Sequence, residues 1–258
     1  MQAQIAVHLA YTTPRPCALL LQIEAFSDKA QTIKSERLLF NAAPDLHRIT
    51  GESGLGQRIW LQANETFICD YEATVDVQRA EVDLANLPYT PLTLLPSEIT
   101  PYLMASRYVH PEHFFEFINT EIGHHSGGAF IKAASDWIKH NFAYDASASN
   151  ASTTAADSFA TRRGVCRDYA HVLIALARAG GIPARIVSCY APRVTPQDFH
   201  AVAEVYLDDA WHLVDATGMA KTDEIVRVGV GRDAADVSFM TSYGLMNMKN
   251  QSVQVITL

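Results

Sequence analysis

Cysteine is scarce in this chain, and basic residues are outnumbered by acidic ones. Four cysteines are spread over 258 residues, which does not fit the disulfide framework of a small secreted protein. Lys and Arg number 20 against 28 Asp and Glu, for a formal net charge of −8. We therefore expect neither nucleic acid nor an anionic membrane as a partner. We interpret Cys17, Cys69 and Cys189 as small buried hydrophobic residues.

Long hydrophobic runs are also missing from the sequence. No apolar window reaches the length of a membrane span without charged residues. The first eight residues have neither the basic region nor the apolar stretch of a signal peptide. A hydrophobic content of 48% with 19% charged residues is typical of a globular protein. We expect a soluble, cytoplasmic protein with reduced thiols, whose oligomeric state the sequence leaves open.

The first third of the chain has the pattern of β-structure. Runs of apolar and β-branched residues recur about every ten residues, divided by turn residues. The main runs are Ile5–Leu9, Ala18–Ile23, Ile33–Phe40, Ile59–Ala63 and Thr66–Tyr71. This spacing predicts a small antiparallel β-sandwich. Four prolines from Pro88 to Pro101 interrupt strand and helix patterns alike. We place a boundary between about 88 and 105 and assign residues 1–95 to the sandwich.

From Pro111 the hydrophobic period becomes helical. We predict a helix that starts at Pro111 and is broken by Gly127 and Gly128, followed by further helices and then strands. The later predicted elements are helices at 129–142, 155–161 and 166–179 and strands at 184–190, 201–207 and 211–214. The predicted fold class is α+β, with residues 96–258 as the second domain.

Cys166 stands at the start of the long apolar helix. A thiol at a helix N-terminus faces unpaired backbone N–H groups and the positive end of the helix dipole, and both favour the thiolate. A single cysteine at this position is more often structural than catalytic. A catalytic role for Cys166 therefore requires partner residues elsewhere in the chain.

His200 and Asp215 lie on a predicted hairpin downstream of the cysteine. A two-residue turn at Asp208-Asp209 sets Leu207 opposite Ala210, so that His200 becomes a diagonal neighbour of Asp215. Diagonal neighbours are roughly 7–8 Å apart, within reach of a histidine–carboxylate hydrogen bond. A register slip of one residue would place the two side chains on opposite faces.

The residue types fit amide chemistry. Cys166 supplies a thiolate, His200 protonates the leaving amine, and Asp215 orients the imidazole. The backbone N–H of Cys166 is a natural oxyanion donor. Separately, a strand histidine or an aspartate at a strand end is usually structural. Their order and the hairpin geometry favour a catalytic triad.

The motifs resemble the bacterial transglutaminase-like superfamily of cysteine proteases. The resemblance covers about 130 to 240 and is carried by residues 164–170 (GVCRDYA), 181–185 (GIPAR), 199–201 (FHA) and 211–217 (WHLVDAT). It implies a papain-like core, with the nucleophile at the N-terminus of a helix packed on an antiparallel sheet. It assigns the nucleophile to Cys166, the base to His200 and the acid to Asp215. The N-terminal β region resembles more loosely the sandwich that precedes the core in some members.

The resemblance also suggests further site residues, and this chain departs from it at some positions. A tail segment at 229–237 matches a bacterial subgroup, so Arg232, Asp233 and Asp236 are candidates to border the cleft; a charged turn is the alternative. Many relatives have Trp where this chain has Val202. Animal transglutaminases use an upstream Trp as an oxyanion donor, for which the candidates here are Tyr144 and Asn141.

We predict a cysteine-dependent hydrolase, a protease or amidase, that forms a thioester with a peptide, a protein or a small amide. One alternative is transglutaminase-type transfer of a glutamine side chain to an amine, which shares the thioester. Another is a non-catalytic interaction module on the same scaffold. No calcium loop is recognisable, and His110, His113, His124 and His125 lack the spacing of a metal site. We therefore expect no metal and no cofactor.

Overall fold

The computed structural model describes residues 1–42 and 45–258. The strands in these ranges are, in chain order, β1 (Gln2–Thr12), β2 (Cys17–Leu21), β3 (Gln31–Phe40), β4 (His47–Thr50), β5 (Gln57–Ala63), β6 (Thr66–Val77), β7 (Ala143–Tyr144), β8 (Arg163–Gly164), β9 (Ala184–Tyr190), β10 (His200–Leu207), β11 (Ala210–Val214), β12 (Val226–Gly231), β13 (Met240–Ser242) and β14 (Asn247–Thr257).

The α-helices are α1 (Phe115–Phe117), α2 (Gly127–Asn141), α3 (Ala155–Thr161) and α4 (Cys166–Ala179). A π-helical turn at Ile118–Ile122 follows α1 directly. Short 3₁₀ turns occupy Glu52–Gly54, Leu84–Asn86, Leu92–Leu94, Thr100–Leu103, Pro111–Phe114, Ala146–Ala148 and Thr222–Glu224. The longest helix in the described ranges is α2, whose 15 residues are too few and too polar to cross a bilayer.

Two four-stranded antiparallel sheets form the sandwich predicted for the N-terminal region. Their strand orders are β14-β1-β6-β3 and β13-β2-β5-β4. Burial alternates along β1, where Ile5, Val7 and Leu9 face a shared core. The alternation recurs in β6. The pattern with a period of two therefore gives each sheet one buried face.

The C-terminal end of the chain also belongs to this sandwich. Strand β14 pairs with β1 along most of its length, and β13 pairs with β2. Val253 and Val255 of β14 are buried in the sandwich core. The predicted second domain, 96–258, therefore contains two strands of the first structural unit, because the chain returns to close both sheets.

A third antiparallel sheet, ordered β11-β10-β9-β12, supports helix α4. Residues around nearly the whole circumference of α4 are buried, and the helix packs on β9 and β10 on one side and against α2 and α3 on the other. This is the mixed α and β core with an N-terminal sandwich that the sequence predicts. Tyr190 of β9 and Val226 and Val228 of β12 also join the sandwich core, so the two units share packed residues.

The region before α2 differs from the predicted continuous helix. Residues 111–122 form successive 3₁₀, α and π turns. Gly127 and Gly128 do not lie outside the next helix but begin it. Gly127 has a φ of +56°, and a Cβ on Gly128 would lie 1.6 Å from the carbonyl oxygen of Leu84. Both glycines are therefore needed for close backbone contact rather than to break a helix.

Candidate active site

Cys166 is the first residue of α4, where the sequence places it. The buried carboxylate of Asp168 fixes this helix start, because its Oδ2 accepts a hydrogen bond of 2.9 Å from the Val165 N–H. A Cβ on Gly164 would lie 2.6 Å from the Cβ of Asp168, so the close approach requires glycine. The N–H of Cys166 belongs to the first turn and has no partner within the helix.

The hairpin that carries His200 and Asp215 has the predicted turn and register. Asp208 and Asp209 have φ values of +48° and +56°, which is the left-handed backbone of a two-residue hairpin turn. Leu207 pairs with Ala210, and the ladder ends with Ala203 opposite Val214. Nε2 of His200 lies 3.1 Å from Oδ2 of Asp215. The predicted histidine–carboxylate contact is therefore present in the fold.

The carboxylate of Asp215 is saturated with hydrogen bonds. Its Oδ1 accepts from the N–H and the hydroxyl of Thr217, at 2.9 and 2.7 Å. Its Oδ2 accepts from the Ala220 N–H at 2.8 Å as well as from His200. Burial alone would raise the pKa of Asp215, but these donors and the imidazole charge outweigh burial and lower the pKa. Asp215 is therefore held as a charged, rigid acceptor.

His200 is held in its charged form between two partners. Burial lowers its pKa, but the hydrogen bond to Asp215 and the charges of Cys166 and Asp215 outweigh burial and raise the pKa to about 10. Because Nε2 is bound to Asp215, the Nδ1 atom is left for the thiol. Nδ1 is buried and makes no hydrogen bond to any of the residues described, and Cys166 lies near enough for its charge to raise the pKa of the ring. The imidazole therefore lies between carboxylate and sulfur.

Cys166 and His200 line one end of a cavity of about 390 Å³. Its walls are largely apolar and come from β9, β10 and β12 and from the segment before β13, including Ile186, Phe199, Val228 and Phe239. Arg107 and Arg167 also line it, and no acidic side chain does so in the described part of the chain. Arg107 is exposed at the mouth, whereas Arg167 is hydrogen-bonded to Ser149 and Asn150 and forms an ion pair of 3.2 Å with Asp168.

Tyr144 lies close to Cys166 on β7, which pairs in parallel with β8 just before Cys166. Burial and the charge of Cys166 raise the pKa of Tyr144 well above its ordinary value. The phenol therefore lies close to Cys166, and it stays protonated at neutral pH.

Asn141 is not brought to Cys166. It is the last residue of α2, its side chain is exposed, and its Nδ2 donates to the Trp137 carbonyl oxygen at 2.8 Å. This local bond within the helix directs the amide away from the cavity. Of the two oxyanion candidates, only Tyr144 lies next to Cys166.

The charged tail residues support the cleft wall rather than line it. Arg232 and Asp236 form an ion pair of 3.0 Å, and Asp233 is buried. Oδ2 of Asp233 accepts from the Tyr108 N–H at 2.8 Å. Their neighbours Ala234 and Ala235 line the cavity instead. The segment therefore borders the cleft through alanines, while its charged side chains hold the turn.

His171 is a structural residue that the sequence did not single out. It lies on α4, its ring stacks on Tyr108 with centroids 5.3 Å apart, and its Nε2 accepts from the Ala234 N–H at 3.1 Å. Burial lowers the pKa of His171 to about 4, against the opposing charge of Asp233. His171 thus connects α4 to the cleft wall. Its one sequence signal is a polar residue within the otherwise apolar run 170–177.

The remaining cysteines and histidines occupy ordinary positions. Cys17, Cys69 and Cys189 are buried, as predicted, and all four cysteines carry free thiols. His110 and His113 have ring centroids 5.9 Å apart, and His124 contacts His125. Within residues 1–42 and 45–258, no three His, Cys, Asp or Glu side chains are placed to hold a metal ion.

Comparison with known proteins shows similarity over the same elements. The sequence profile of the transglutaminase-like superfamily matches residues 117–216, from the end of α1 to just past Asp215. A crystal structure of a candidate cysteine protease from Cytophaga hutchinsonii is 32% identical, with a TM-score of 0.95. That match covers 100% of this chain and 91% of the other. The similarity therefore includes the sandwich as well as the core.

Uncharacterized mycobacterial proteins are similar over a shorter stretch. One from Mycobacterium leprae is 28% identical over 116 residues, which is 42% of each chain. One from Mycobacterium tuberculosis is 30% identical over 133 residues, or 46% of this chain and 42% of its own length. The matched stretches span about two fifths of these relatives.

Proposed function

Because this chain belongs to the transglutaminase-like superfamily, we propose that it is a cysteine-dependent hydrolase that cleaves an amide bond of a peptide, a protein or a small amide. The observation that carries the proposal is the arrangement around His200. Its Nε2 is bound to Asp215, and its Nδ1 is left for Cys166 inside a cavity. Cys166, His200 and Asp215 are the proposed nucleophile, general acid–base and orienting acid.

The proposed reaction has two stages. The Cys166 thiolate attacks the substrate carbonyl, forming a C–S bond, and the imidazolium of His200 gives its Nδ1 proton to the departing amine as the C–N bond breaks. The resulting thioester is attacked by water, whose proton passes to His200 as the carboxylic acid is released. Asp215 keeps the imidazole oriented and favours its charged form throughout.

Two donors are proposed to stabilise the oxyanion formed in each stage. One is the Cys166 N–H at the N-terminus of α4, where the helix dipole adds positive potential. The other is the hydroxyl of Tyr144, a residue close to Cys166 that remains protonated because its pKa is raised. Such donors act most strongly in a water-excluded site.

The charge of the cavity mouth favours hydrolysis over transfer to an amine. A lysine-type amine is cationic near neutral pH and would approach past the charge of Arg107, since Arg167 is paired with Asp168, with no acid among the described lining residues to attract it. Water meets no such barrier. Product analysis at high added amine tests this choice: cleavage or deamidation without amine incorporation supports hydrolysis, whereas a covalent amine adduct supports transamidation.

The proposed nucleophile is tested by alkylation. Iodoacetamide at neutral pH should modify Cys166 faster than an ordinary thiol, as measured by intact mass and peptide mapping. His200→Ala should slow this reaction, and Cys166→Ser should abolish it at that position. A Cys166 rate equal to that of a free thiol peptide would contradict the proposal. A peptide library compared with the Cys166→Ala protein then identifies the cleaved bond.

We also propose that the enzyme works in a reducing compartment such as the cytoplasm. Four free thiols, one of them a catalytic nucleophile, are preserved where cellular reductants keep cysteines reduced.

A further inference from the structure

Gln22, a residue of the N-terminal sandwich, forms part of the active-site cavity. It follows β2 directly, and its backbone N–H donates to the Phe239 carbonyl oxygen at 2.9 Å. Its side chain lines the same cavity as Cys166 and His200, yet the residue is only 2% exposed. It therefore lies at the closed end, whereas the exposed Arg107 lies at the mouth.

The carboxamide of Gln22 has an unsatisfied donor. Among the described residues, its Nε2 has no hydrogen-bond partner. A buried donor without a partner destabilises the folded state, because it has given up its bonds to water. A buried polar group that lines a cavity and lacks a partner in the protein is suited to bind a ligand.

The fold makes room for this amide. Gly229 of β12 lies beneath it, and a Cβ added there would lie 2.2 Å from Nε2 of Gln22. The β-bulge between Arg227 and Gly229 is at the same place, and bulges are common next to active sites. Glycine at position 229 therefore permits the placement of Gln22.

The position of Gln22 relative to the catalytic histidine follows from strand pairing. Gly229 pairs with Ser188, and Ser188 pairs with Ala201, the neighbour of His200. The backbones of Gly229 and Ala201 are two strand spacings apart, a distance of roughly 10 Å. An extended peptide covers that distance with about three residues.

We infer that Gln22 is a specificity-determining residue, an inference that rests on the hydrolase function proposed above. Gln22 donates a hydrogen bond to an oxygen in the acyl part of a peptide substrate. That oxygen lies about three residues from the attacked carbonyl. The acyl part stays attached through both stages, so it suits the closed end of the cavity. The amine leaves first and suits the open mouth. The acceptor is a main-chain carbonyl or a side-chain carboxamide.

Peptidyl chloromethyl ketones of different lengths test this inference. The Cys166 thiolate forms a C–S bond to the methylene carbon and chloride leaves, so labelling reports nucleophile and recognition together. An acetyl-alanyl probe is too short to reach Gln22, whereas an acetyl-trialanyl probe spans the distance. The readout is the ratio of the two second-order rate constants, which cancels general effects on the thiol.

Gln22→Leu should lower this ratio about 5- to 10-fold, the loss expected for one hydrogen bond. Gly229→Ala should lower it too, by displacing the amide. An acetyl-trialanyl probe whose first alanine is replaced by glutamine distinguishes the two possible acceptors, the main-chain carbonyl and the side-chain carboxamide. If only this probe loses rate, the acceptor is a side chain; if both long probes do, it is the main chain. Gln62→Leu, an exposed glutamine on neighbouring β5, is the control and should change nothing.

Stability gives a second readout that a structural role would not produce. Gln22→Leu removes an unsatisfied buried donor, so its Tm should rise, whereas loss of a structural hydrogen bond would lower it. Ratios within about twofold of wild type for both Gln22→Leu and Gly229→Ala would overturn the inference. Failure of every probe to label wild-type Cys166 would overturn the proposed hydrolase, and this inference with it.

Discussion

Nε2 of His200 lies 3.1 Å from Oδ2 of Asp215, and the two side chains are 0% and 2% exposed. This contact joins the start of β10 to the end of β11. Asp215→Ala should lower kcat/KM for amide hydrolysis by roughly 10²-fold or more, because the imidazole loses its orientation and its charge partner. Asp215→Asn should also lose most activity, because its NH2 group would face the N–H of either Thr217 or Ala220 and the charge partner of His200 is gone. The measurement is steady-state kinetics on a cleaved peptide, with the exposed Asp136→Asn as the control. An active Asp215→Ala protein would contradict the role of the carboxylate.

The high pKa of His200 predicts the pH dependence of catalysis. The imidazolium is the proton donor to the leaving amine, so activity should fall as the pH rises through about 10. Asp215→Asn removes a charge that raises this pKa, so its alkaline limb should move to lower pH. The same pKa is linked to stability, because the folded state holds the proton more tightly than the ordinary value of 6.5. That contribution is complete below pH 6.5 and is lost by about pH 10. If the alkaline limb of the pH–activity profile stays in place in Asp215→Asn, Asp215 does not set the pKa of His200.

Tyr144→Phe tests the second oxyanion donor. Loss of the hydroxyl should lower kcat for amide hydrolysis by about 10²-fold, which is typical for one oxyanion donor. Alkylation by iodoacetamide passes through no oxyanion, so its rate should change far less than kcat. Tyr243→Phe, at an exposed site remote from the cavity lining, is the matched control. Equal losses in hydrolysis and alkylation would assign Tyr144 to the thiol alone.

The parts of the site that the sequence predicts are those fixed by local structure. Asp208 and Asp209 tolerate left-handed backbone, so the turn and the hairpin register follow from the residues themselves. Cys166 follows from the start of an apolar helix that ends at a glycine pair. In each case a short segment contains all the information that its geometry needs.

What the sequence does not predict depends on contacts between distant segments. Gln22 meets the cavity only because β2 pairs with β13, more than two hundred residues later in the chain. Strand β14 has few buried positions and was not predicted as part of the sandwich. The sequence position of Asn141, upstream of Cys166, makes it a candidate, but a local bond to Trp137 decides where its amide lies. Pairing partners of this kind are not encoded in any one segment.

His171 should make the fold sensitive to acid. Its folded pKa is lowered to about 4 from an ordinary value of 6.5 because it is fully buried. Between these two values the unfolded chain binds the proton and the folded chain does not, so stability decreases as the pH falls through this window. The full loss is about 3 kcal/mol in the free energy of unfolding. Denaturant unfolding at a series of pH values between 4 and 7 measures this loss.

His171→Gln keeps an acceptor for the Ala234 N–H but does not titrate, so its stability should depend less on pH in this range. His47→Gln, at an exposed strand position, should leave the dependence unchanged. An equal acid slope in wild type and His171→Gln would mean that His171 is already protonated in the fold, and that the Ala234 N–H has another acceptor.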